Sequence, residues 1–330
     1  MSASERCIAL TLALTVATVA LAEEPARWLE RMNHALTTRN YDGTFSHWHG
    51  GQVEMLRIIH RVQDGTVAER LVSLDGSGRE FIRNGANLSC YLPDQRTVLV
   101  EQRPPEESLV GFPAVTDETA SFYDIREVER TRLNRRATHV ISVTPKDAYR
   151  YGYRLWIDDS TAMPLKSQLC DGHGQVIEQI VFGQLTLPSR IPDSAFRPEV
   201  STEGFQWLRN PSTPSGPATA ALAWNAMRLP PGFRISARSA QTLPGSAGPV
   251  DHIVFTDGMA SVSVFVESQH TQTTTTATPE TASFGSSSAI TTVVNGYKIT
   301  AVGEVPPDTV RFIVNQVQAQ DTVPLGARRH

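Results

Sequence analysis

The chain has 330 residues, a formal net charge of −4 at pH 7 and a hydrophobic content of 40%. Its lysines and arginines are scattered, which argues against a nucleic-acid-binding surface, and its hydrophobic content is ordinary for a globular chain that buries a core. At about 100–200 residues per domain, we expect two domains.

The first 22 residues have the pattern of a cleaved secretory signal. Arg6 precedes a continuous apolar run from Cys7 to Ala22, and this run is shorter than the roughly 20 residues that comfortably span a membrane. It ends in Ala20-Leu21-Ala22, the small-x-small pattern of a signal-peptidase site, and an acidic segment that starts with Glu23 follows. An uncleaved N-terminal anchor is the alternative. We expect residues 1–22 to be a signal peptide and the mature protein to be exported.

The first predicted domain covers residues 23–200. An amphipathic pattern predicts a helix over 25–40, and Asp-Gly and Asn-Gly turns then separate short alternating segments, as in antiparallel hairpins. Strands are predicted at 44–49, 54–62, 67–74, 80–83, 88–92, 98–101, 122–131, 137–144, 149–158, 163–170 and 175–187, with a loop and a short helix at 103–120. So many strands in one twisted sheet favour a curled half-barrel, whose concave face would suit an acyl chain.

A proline-rich segment, residues 201–217, is predicted to be a linker, and residues 218–320 a smaller α+β domain. Its strands are predicted at 234–240, 251–256, 260–267, 289–294 and 297–302, followed by a helix at 307–317. Residues 271–278 are polar and threonine-rich and are predicted to be a loop, and we expect the tail, residues 321–330, to be disordered.

The sequence contains no constellation typical of catalysis. His47 and His49 would place two imidazoles on one strand face, a common metal-ligand spacing, but no third ligand is near them in the sequence. We therefore expect a polar edge strand there and no metal site. Asp158-Asp159, beside Ser160, is interpreted as a turn. Without a metalloprotease, nucleophile-elbow or phosphate-loop motif, we expect no enzyme, no catalytic residues and no cofactor.

Removal of the signal leaves two cysteines, Cys90 and Cys170. In an oxidising compartment such a pair forms either a disulfide or two buried thiols. Because both lie in predicted strands of the same domain, we favour the disulfide.

Several motifs carry a resemblance to a known family. Among them are Tyr41-Asp42-Gly43-Thr44-Phe45, Cys90-Tyr91-Leu92-Pro93-Asp94, Tyr153-Arg154-Leu155-Trp156-Ile157-Asp158, Leu229-Pro230-Pro231-Gly232-Phe233 and the segment from Val254 to Glu267. In this order they resemble the RseB/MucB regulators of the extracytoplasmic sigma-E pathway. The resemblance spans nearly the whole mature chain and departs from the family at the expanded loop 271–278.

The resemblance implies a fold and a function. The fold would be mainly β with α+β character: a LolA-like incomplete antiparallel β-barrel with covering helices, plus a smaller C-terminal α+β domain. The function would be negative regulation of the envelope-stress response from the periplasm. The protein would bind the periplasmic segment of a membrane-bound anti-sigma factor of the RseA/MucA type, shield it from site-1 proteolysis and be released by lipid or lipopolysaccharide. A periplasmic lipid or lipoprotein carrier of the LolA type is the alternative, and the sequence leaves the oligomeric state open.

Two sets of aromatic residues are candidates for these contacts, although ordinary core positions are the alternative for each. The candidates for a lipid cavity are Trp48, Phe112 and Trp156. The candidates for partner binding by the second domain are Phe233, Phe255, Phe265 and Tyr297.

Overall fold

The structure is a computed structural model that describes residues 24–102, 109, 110, 112, 116–209, 224–241, 246, 248–268 and 279–319. The predicted signal peptide, the threonine-rich loop and the C-terminal tail lie outside these residues. Within the described ranges, no helix is both long enough and apolar enough to cross a bilayer.

The described residues of the N-terminal domain form one long helix, a one-turn helix and twelve strands. Helix α1 spans Pro25–Thr38, and the one-turn helix α2 spans Asp117–Ala120. The strands are β1 (Tyr41–His49), β2 (Gln52–Gln63), β3 (Thr66–Ser73), β4 (Glu80–Asn84), β5 (Asn87–Leu92), β6 (Thr97–Gln102), β7 (Tyr123–Leu133), β8 (Arg136–Pro145), β9 (Gly152–Asp158), β10 (Pro164–Cys170), β11 (Val176–Thr186) and β12 (Gln206–Arg209). The turn at Asp64-Gly65 has φ values of 50° and 74°, the positive values that a two-residue hairpin turn requires.

The twelve strands form one open sheet in the order β12-β6-β5-β4-β3-β2-β1-β11-β10-β9-β8-β7. Neighbouring strands are antiparallel except for the parallel pair β12–β6. Because β12 and β7 are the two edges and do not pair with each other, the barrel is incomplete, as expected. β12 lies within the segment that the sequence predicts to be a linker.

Strand β1 lies in the middle of this sheet, so the expectation of an edge strand at His47–His49 is wrong. It pairs with β2 on one side and with β11 on the other. The partner β11 is more than 120 residues further along the chain. A pairing between strands so far apart in the sequence cannot be predicted from a local pattern.

The core of the N-terminal domain lies between α1 and one face of the sheet. The helix buries Trp28, Leu29 and Met32 against side chains such as Phe45 and Ile141. Full burial of one such apolar side chain contributes about 1.5–3 kcal/mol, so α1 is held mainly by its packing. Pro25 begins the helix, where its missing N–H is not needed.

The C-terminal domain is a smaller sheet covered by a helix. Its strands are β13 (Trp224–Ala226), β14 (Arg234–Gln241), β15 (Val250–Thr256), β16 (Ser261–Ser268), β17 (Glu280–Phe284), β18 (Ser287–Val294), β19 (Tyr297–Gly303) and β20 (Val317–Ala319), and its helix α3 spans Pro307–Gln316. Six strands form a sheet in the order β14-β15-β16-β19-β18-β17, and β13 pairs with β20. The apolar face of α3 packs on this sheet, which confirms the predicted fold class of an open β-barrel followed by a smaller α+β domain.

The predicted disulfide between Cys90 and Cys170 is wrong, because both residues are thiols. Cys90 lies on β5 and Cys170 on β10, with β4, β3, β2, β1 and β11 between them. Neighbouring strands are about 4.8 Å apart, whereas a disulfide requires Cα atoms within about 7 Å. The two sulfur atoms are therefore held in distant parts of the sheet.

Candidate functional site: the junction of the two domains

The two domains meet at a junction centred on a buried ion pair. Arg150, from the loop between β8 and β9, donates hydrogen bonds to Asp257 Oδ2 through Nε and to Asp147 Oδ2 through Nη1. Its Nη2 donates to the backbone carbonyl of Pro231. The side chains of Arg150 and Asp257 have no solvent exposure. Because a buried charge without its partner is strongly destabilising, this pair opposes separation of the domains.

Aromatic rings from both domains enclose the Arg150 guanidinium group. Its Cζ lies 4.7 Å from the ring centroid of Phe122 and 5.2 Å from that of Phe233, within the range of cation–π attraction. Tyr123 donates its hydroxyl to Asp257 Oδ2 at 3.4 Å. Burial and the charge of Asp257 raise the pKa of Tyr123, so its hydroxyl stays protonated and remains a donor.

Two glycines of the C-terminal domain allow the close approach at this junction. Gly232 has φ +79°, and a Cβ at this position would lie 2.3 Å from the Phe122 ring. Gly258 has φ +98°, and a Cβ there would lie 2.7 Å from the Thr119 methyl group. Only glycine satisfies both the positive φ and the lack of space, which explains why two of the sequence motifs that carry the family resemblance contain them.

Further contacts extend the junction on both sides of the ion pair. Thr309 at the start of α3 donates its hydroxyl to the Tyr149 carbonyl at 2.9 Å, and the rings of Tyr149 and Phe312 meet edge to face at 5.5 Å. Met259, from the turn after β15, packs on the core of the N-terminal domain. The N-terminal core therefore continues into the C-terminal domain.

A second contact between the domains lies at the end of the β1–β2 hairpin. The Phe284 ring of the C-terminal domain meets the His49 ring at 5.5 Å, edge to face. A Cβ at Gly285 would lie 3.7 Å from His49 Nδ1, so the β17–β18 turn lies directly over this histidine. Ser286, in the same turn, forms a side-chain hydrogen bond with Glu178 of β11.

Beneath this turn, three side chains could together hold a metal ion. His47 and His49 point to the same face of β1, and Glu54 is the residue of β2 directly opposite His47. One ligand atom from each of the three lies within 4.8 Å of the others. The sequence pattern missed this grouping because Glu54 follows the hairpin turn, and its position opposite His47 depends on the strand register.

The structure does not bring the lipid-cavity candidates together. Trp156 alternates along β9 with Leu155 and Ile157, which are fully buried in the concave core, so Trp156 lies on the opposite face, where Lys166 covers its ring. Trp48 likewise lies on the face of β1 opposite the core, since the side chains of a strand alternate. The expectation of one cavity lined by all three aromatics is therefore corrected: Phe112 alone packs against the concave core.

The structure also separates the partner-binding candidates. Phe233 and Phe255 belong to the buried core of the C-terminal domain, and Tyr297 packs against that core beside Trp224. Phe265 lies on the other face of the sheet, where its ring stacks on His252 at 4.4 Å. Phe265 is thus the candidate on a face that α3 leaves open.

Arg150 and Asp257, the charged pair at the centre of the junction, were not among the candidates predicted from the sequence. Asp257 was interpreted only as part of a hairpin turn, and it does accept bonds from the backbone N–H groups of Met259 and Ala260. Its second carboxylate oxygen faces Arg150, more than 100 residues away. Asp257 does lie in one of the motifs that carry the family resemblance. Its place in a hairpin turn was enough to explain the residue, so the sequence did not suggest the contact with Arg150.

Family models match the chain over both domains. The MucB/RseB N-terminal domain matches residues 24–200, and the MucB/RseB C-terminal domain matches residues 218–318. A curated relative, the sigma factor AlgU regulatory protein MucB of Pseudomonas aeruginosa, is 30% identical over 308 residues, which cover 91% of this chain and 92% of the relative.

Solved structures show the same likeness. The complex of Pseudomonas aeruginosa MucA and MucB has a chain that matches with a TM-score of 0.71 at 26% identity, and the match covers 90% of this chain and 99% of that chain. A crystal structure of MucB matches with a TM-score of 0.58 at 27% identity, and the match covers 90% of this chain and 98% of that chain. The TM-score is therefore higher for the MucA/MucB complex than for this crystal structure of MucB.

Proposed function

The chain belongs to the MucB/RseB family, and we propose that it is a periplasmic negative regulator of a sigma-E-type envelope-stress response. It binds the periplasmic segment of a membrane-bound anti-sigma factor and shields that segment from site-1 proteolysis. The observation that carries this proposal is the likeness, over 90% of the chain, to MucB solved in complex with MucA. A second structure, of MucB with periplasmic MucA, matches with a TM-score of 0.70.

Two surfaces of the C-terminal sheet suit an extended peptide. Strand β17 is an edge of the sheet, all of its residues are exposed, and such an edge can accept a further strand through backbone hydrogen bonds. The face that carries Phe265 and Val302 is not covered by α3, and Val302 is 37% exposed. A peptide paired with the edge could also place apolar side chains on this face.

The arrangement of the domains supports the same function. The buried Arg150–Asp257 pair joins the C-terminal sheet to the N-terminal domain, and the TM-score of 0.71 with MucB of the MucA/MucB complex supports an arrangement suited to binding. The relatives are named as regulatory proteins, and we propose that this chain likewise acts by binding and not by catalysis.

Lipid is proposed as the releasing signal because of the open barrel. In the described structure the concave face is filled by Trp28, Leu29 and Met32 of α1, so an acyl chain would have to displace this helix. A displaced α1 would alter the core onto which Met259 of the C-terminal domain packs, and lipid and anti-sigma segment would then weaken each other's binding. The filled concave face gives no support to the alternative of a simple lipid carrier.

The test of the proposed function is a cleavage assay on the cognate anti-sigma factor. Mature protein is added to the periplasmic segment and its site-1 protease, and cleavage is expected to slow in proportion to the amount of complex. Removal of residues 218–330 is expected to abolish protection. Unchanged cleavage at saturating protein would refute the proposed function, and protection by the truncated protein would refute the role of the C-terminal domain.

Binding experiments separate the surface from the function. Replacing Phe265 with serine is expected to weaken binding of the segment about 10-fold or more, as for a contact worth over 1 kcal/mol. Leu74→Ser, at a position that is 48% exposed on the N-terminal domain, serves as the matched control. Equal affinity of the two variants for the segment would exclude the open face as the binding surface.

Lipid release is tested by competition. Acylated lipopolysaccharide fragments should compete with the anti-sigma segment in a titration, and a failure to compete would exclude lipid release.

A further inference from the structure

The residues at the end of the β1–β2 hairpin have the geometry of a metal-binding cluster. His47 and His49 are two positions apart on one strand, so both imidazoles project from the same face. Glu54 is directly opposite His47 on the neighbouring strand, and directly opposed residues have Cβ atoms about 4.5–5.5 Å apart. The hairpin turn Gly50-Gly51 adopts φ values of 54° and 79°, so a tight turn fixes the register of all three ligands.

We propose that His47, His49 and Glu54 form a binding site for a divalent transition-metal ion of the zinc class at the boundary between the two domains. Two imidazoles and one carboxylate form the three-ligand set that zinc accepts, with a fourth position for water. The ligand atoms lie within 4.8 Å of one another, whereas ligands at about 2.0–2.1 Å from a tetrahedral ion are roughly 3.3 Å apart. The three side chains are only half-buried, so we expect side-chain rotation to close this difference.

A carboxylate already orients one of the proposed ligands. Glu178 Oε1 lies 2.7 Å from Nε2 of His47, and metal-ligating histidines usually bond to a carboxylate or carbonyl through the ring nitrogen that does not bind the metal. Glu178 would then fix the tautomer of His47 and leave Nδ1 for the metal. By contrast, His139 has both ring nitrogens within hydrogen-bond distance of carboxylates, Glu127 and Asp159, and thus lacks a ring nitrogen for a metal.

The charge around the cluster favours a cation. Three carboxylates surround it: Glu54, Glu178 and Glu304 from the C-terminal domain. Glu304 lies close enough to Glu178 and His47 to interact electrostatically with both. Arg79 donates to Glu54 Oε1 at 3.1 Å, which leaves Oε2 as the oxygen that would contact the metal.

The position of the cluster gives the metal a structural role. The β17–β18 turn covers His49 through Phe284 and Gly285, and Ser286 of the same turn is bonded to Glu178. An ion held by His47 and His49 would therefore stiffen the N-terminal part of this second contact between the domains. This role is independent of the anti-sigma partner, since it involves only residues of this chain.

The test uses the mature chain freed of any affinity tag, with Zn²⁺ alone as the probe. After treatment with a chelator, a competition titration against a fluorescent zinc indicator should show one ion per chain. X-ray absorption should show four ligands at about 2.0–2.1 Å: two imidazole nitrogens, one carboxylate oxygen and one water oxygen. Replacing Glu178 with glutamine should weaken binding about 10- to 100-fold, and His47→Ala or His49→Ala should weaken it more.

The controls separate a built site from an adventitious one. His173→Ala, in an exposed turn, should leave the affinity unchanged, and circular dichroism should show that each variant is folded. The proposal is overturned if the double variant His47→Ala/His49→Ala still binds one equivalent with the original affinity, or if the wild-type chain shows no saturable binding. Binding of the anti-sigma segment in the presence of chelator is measured in parallel, so a failed metal site is distinguished from a failed regulatory function.

Discussion

The buried pair of Arg150 and Asp257 predicts how the two domains depend on each other. We consider the substitution Asp257→Asn, which removes one negative charge and preserves the size of the side chain. The asparagine Oδ1 can still accept the backbone N–H groups of Met259 and Ala260 that Asp257 accepts at 2.9 Å and 2.7 Å. The turn is thus retained, and the change is confined to the partner of Arg150.

The expected loss follows from the burial of both groups. Breaking a buried ion pair by removal of one partner costs about 3–5 kcal/mol. Arg150 keeps its bonds to Asp147 and to the Pro231 carbonyl, so we expect the lower end, about 3 kcal/mol. With a denaturant dependence of about 1–3 kcal/mol per molar urea, the unfolding midpoint should fall by roughly 1–3 M.

The assay is urea unfolding followed by hydrogen exchange and mass spectrometry, which reports on the two domains separately. Peptides from β15 and β16 should lose protection at lower urea than peptides from β8 and β9. The matched control is Asp308→Asn, which breaks the exposed pair with Arg311 and should change stability by no more than about 0.5 kcal/mol. The double variant Arg150→Met/Asp257→Asn should recover much of the loss, because it removes both charges from the interior.

Two results would refute this reasoning. Equal stability of Asp257→Asn and Asp308→Asn would mean that the buried Arg150–Asp257 pair stabilises the fold no more than an exposed ion pair does. A double variant that is less stable than Asp257→Asn would mean that Arg150 acts through something other than its charge, such as its packing against Phe122 and Phe233.

Three further predictions follow from other parts of the fold. Burial and a nearby arginine lower the pKa of His60 from 6.5 to about 4. Its contribution to stability should therefore be complete above pH 6.5 and be lost as the pH falls toward 4, by up to about 3 kcal/mol. Urea unfolding across this range should show a flatter dependence in His60→Gln, and an equally steep one would contradict the assignment. Gly232→Ala and Gly51→Ala introduce a Cβ at the same φ of +79°, but only the first meets another group. Thermal unfolding should show Gly232→Ala to be less stable by about 1–3 kcal/mol, and equal stability would contradict the clash. Cys90 and Cys170 are both thiols, so unfolding the oxidised protein with an alkylating reagent should label both, and mass spectrometry that shows a linked pair would contradict the structure.

Many elements of the fold were predictable because their signals are local. The amphipathic spacing of Trp28, Leu29 and Met32 predicted α1, and the Asp64-Gly65 and Asn295-Gly296 pairs predicted hairpins at turns that indeed have positive φ. These signals depend on residues that are close in sequence. Short strands without such punctuation, β13, β17 and β20, were missed, since each is defined by the strand that it pairs with.

The candidate sites were harder to predict for the same reason. Aromatic residue type does not reveal which face of a strand is buried. Phe255 in the core and Phe265 on the open face were therefore equally good candidates for partner binding. The cysteines are in the same domain, but the strand order separates them.

The sequence by itself determined the family, the expectation of export and the division into hairpins, because motifs, composition and turn residues depend only on positions that are close in the sequence. The tertiary structure decided which distant groups meet. Arg150 and Asp257 form one buried pair across the two domains, and Glu54 completes the histidine cluster through strand register. The physical reason is that burial and charge pairing depend on separations in space, and these are set only when the sheet assembles.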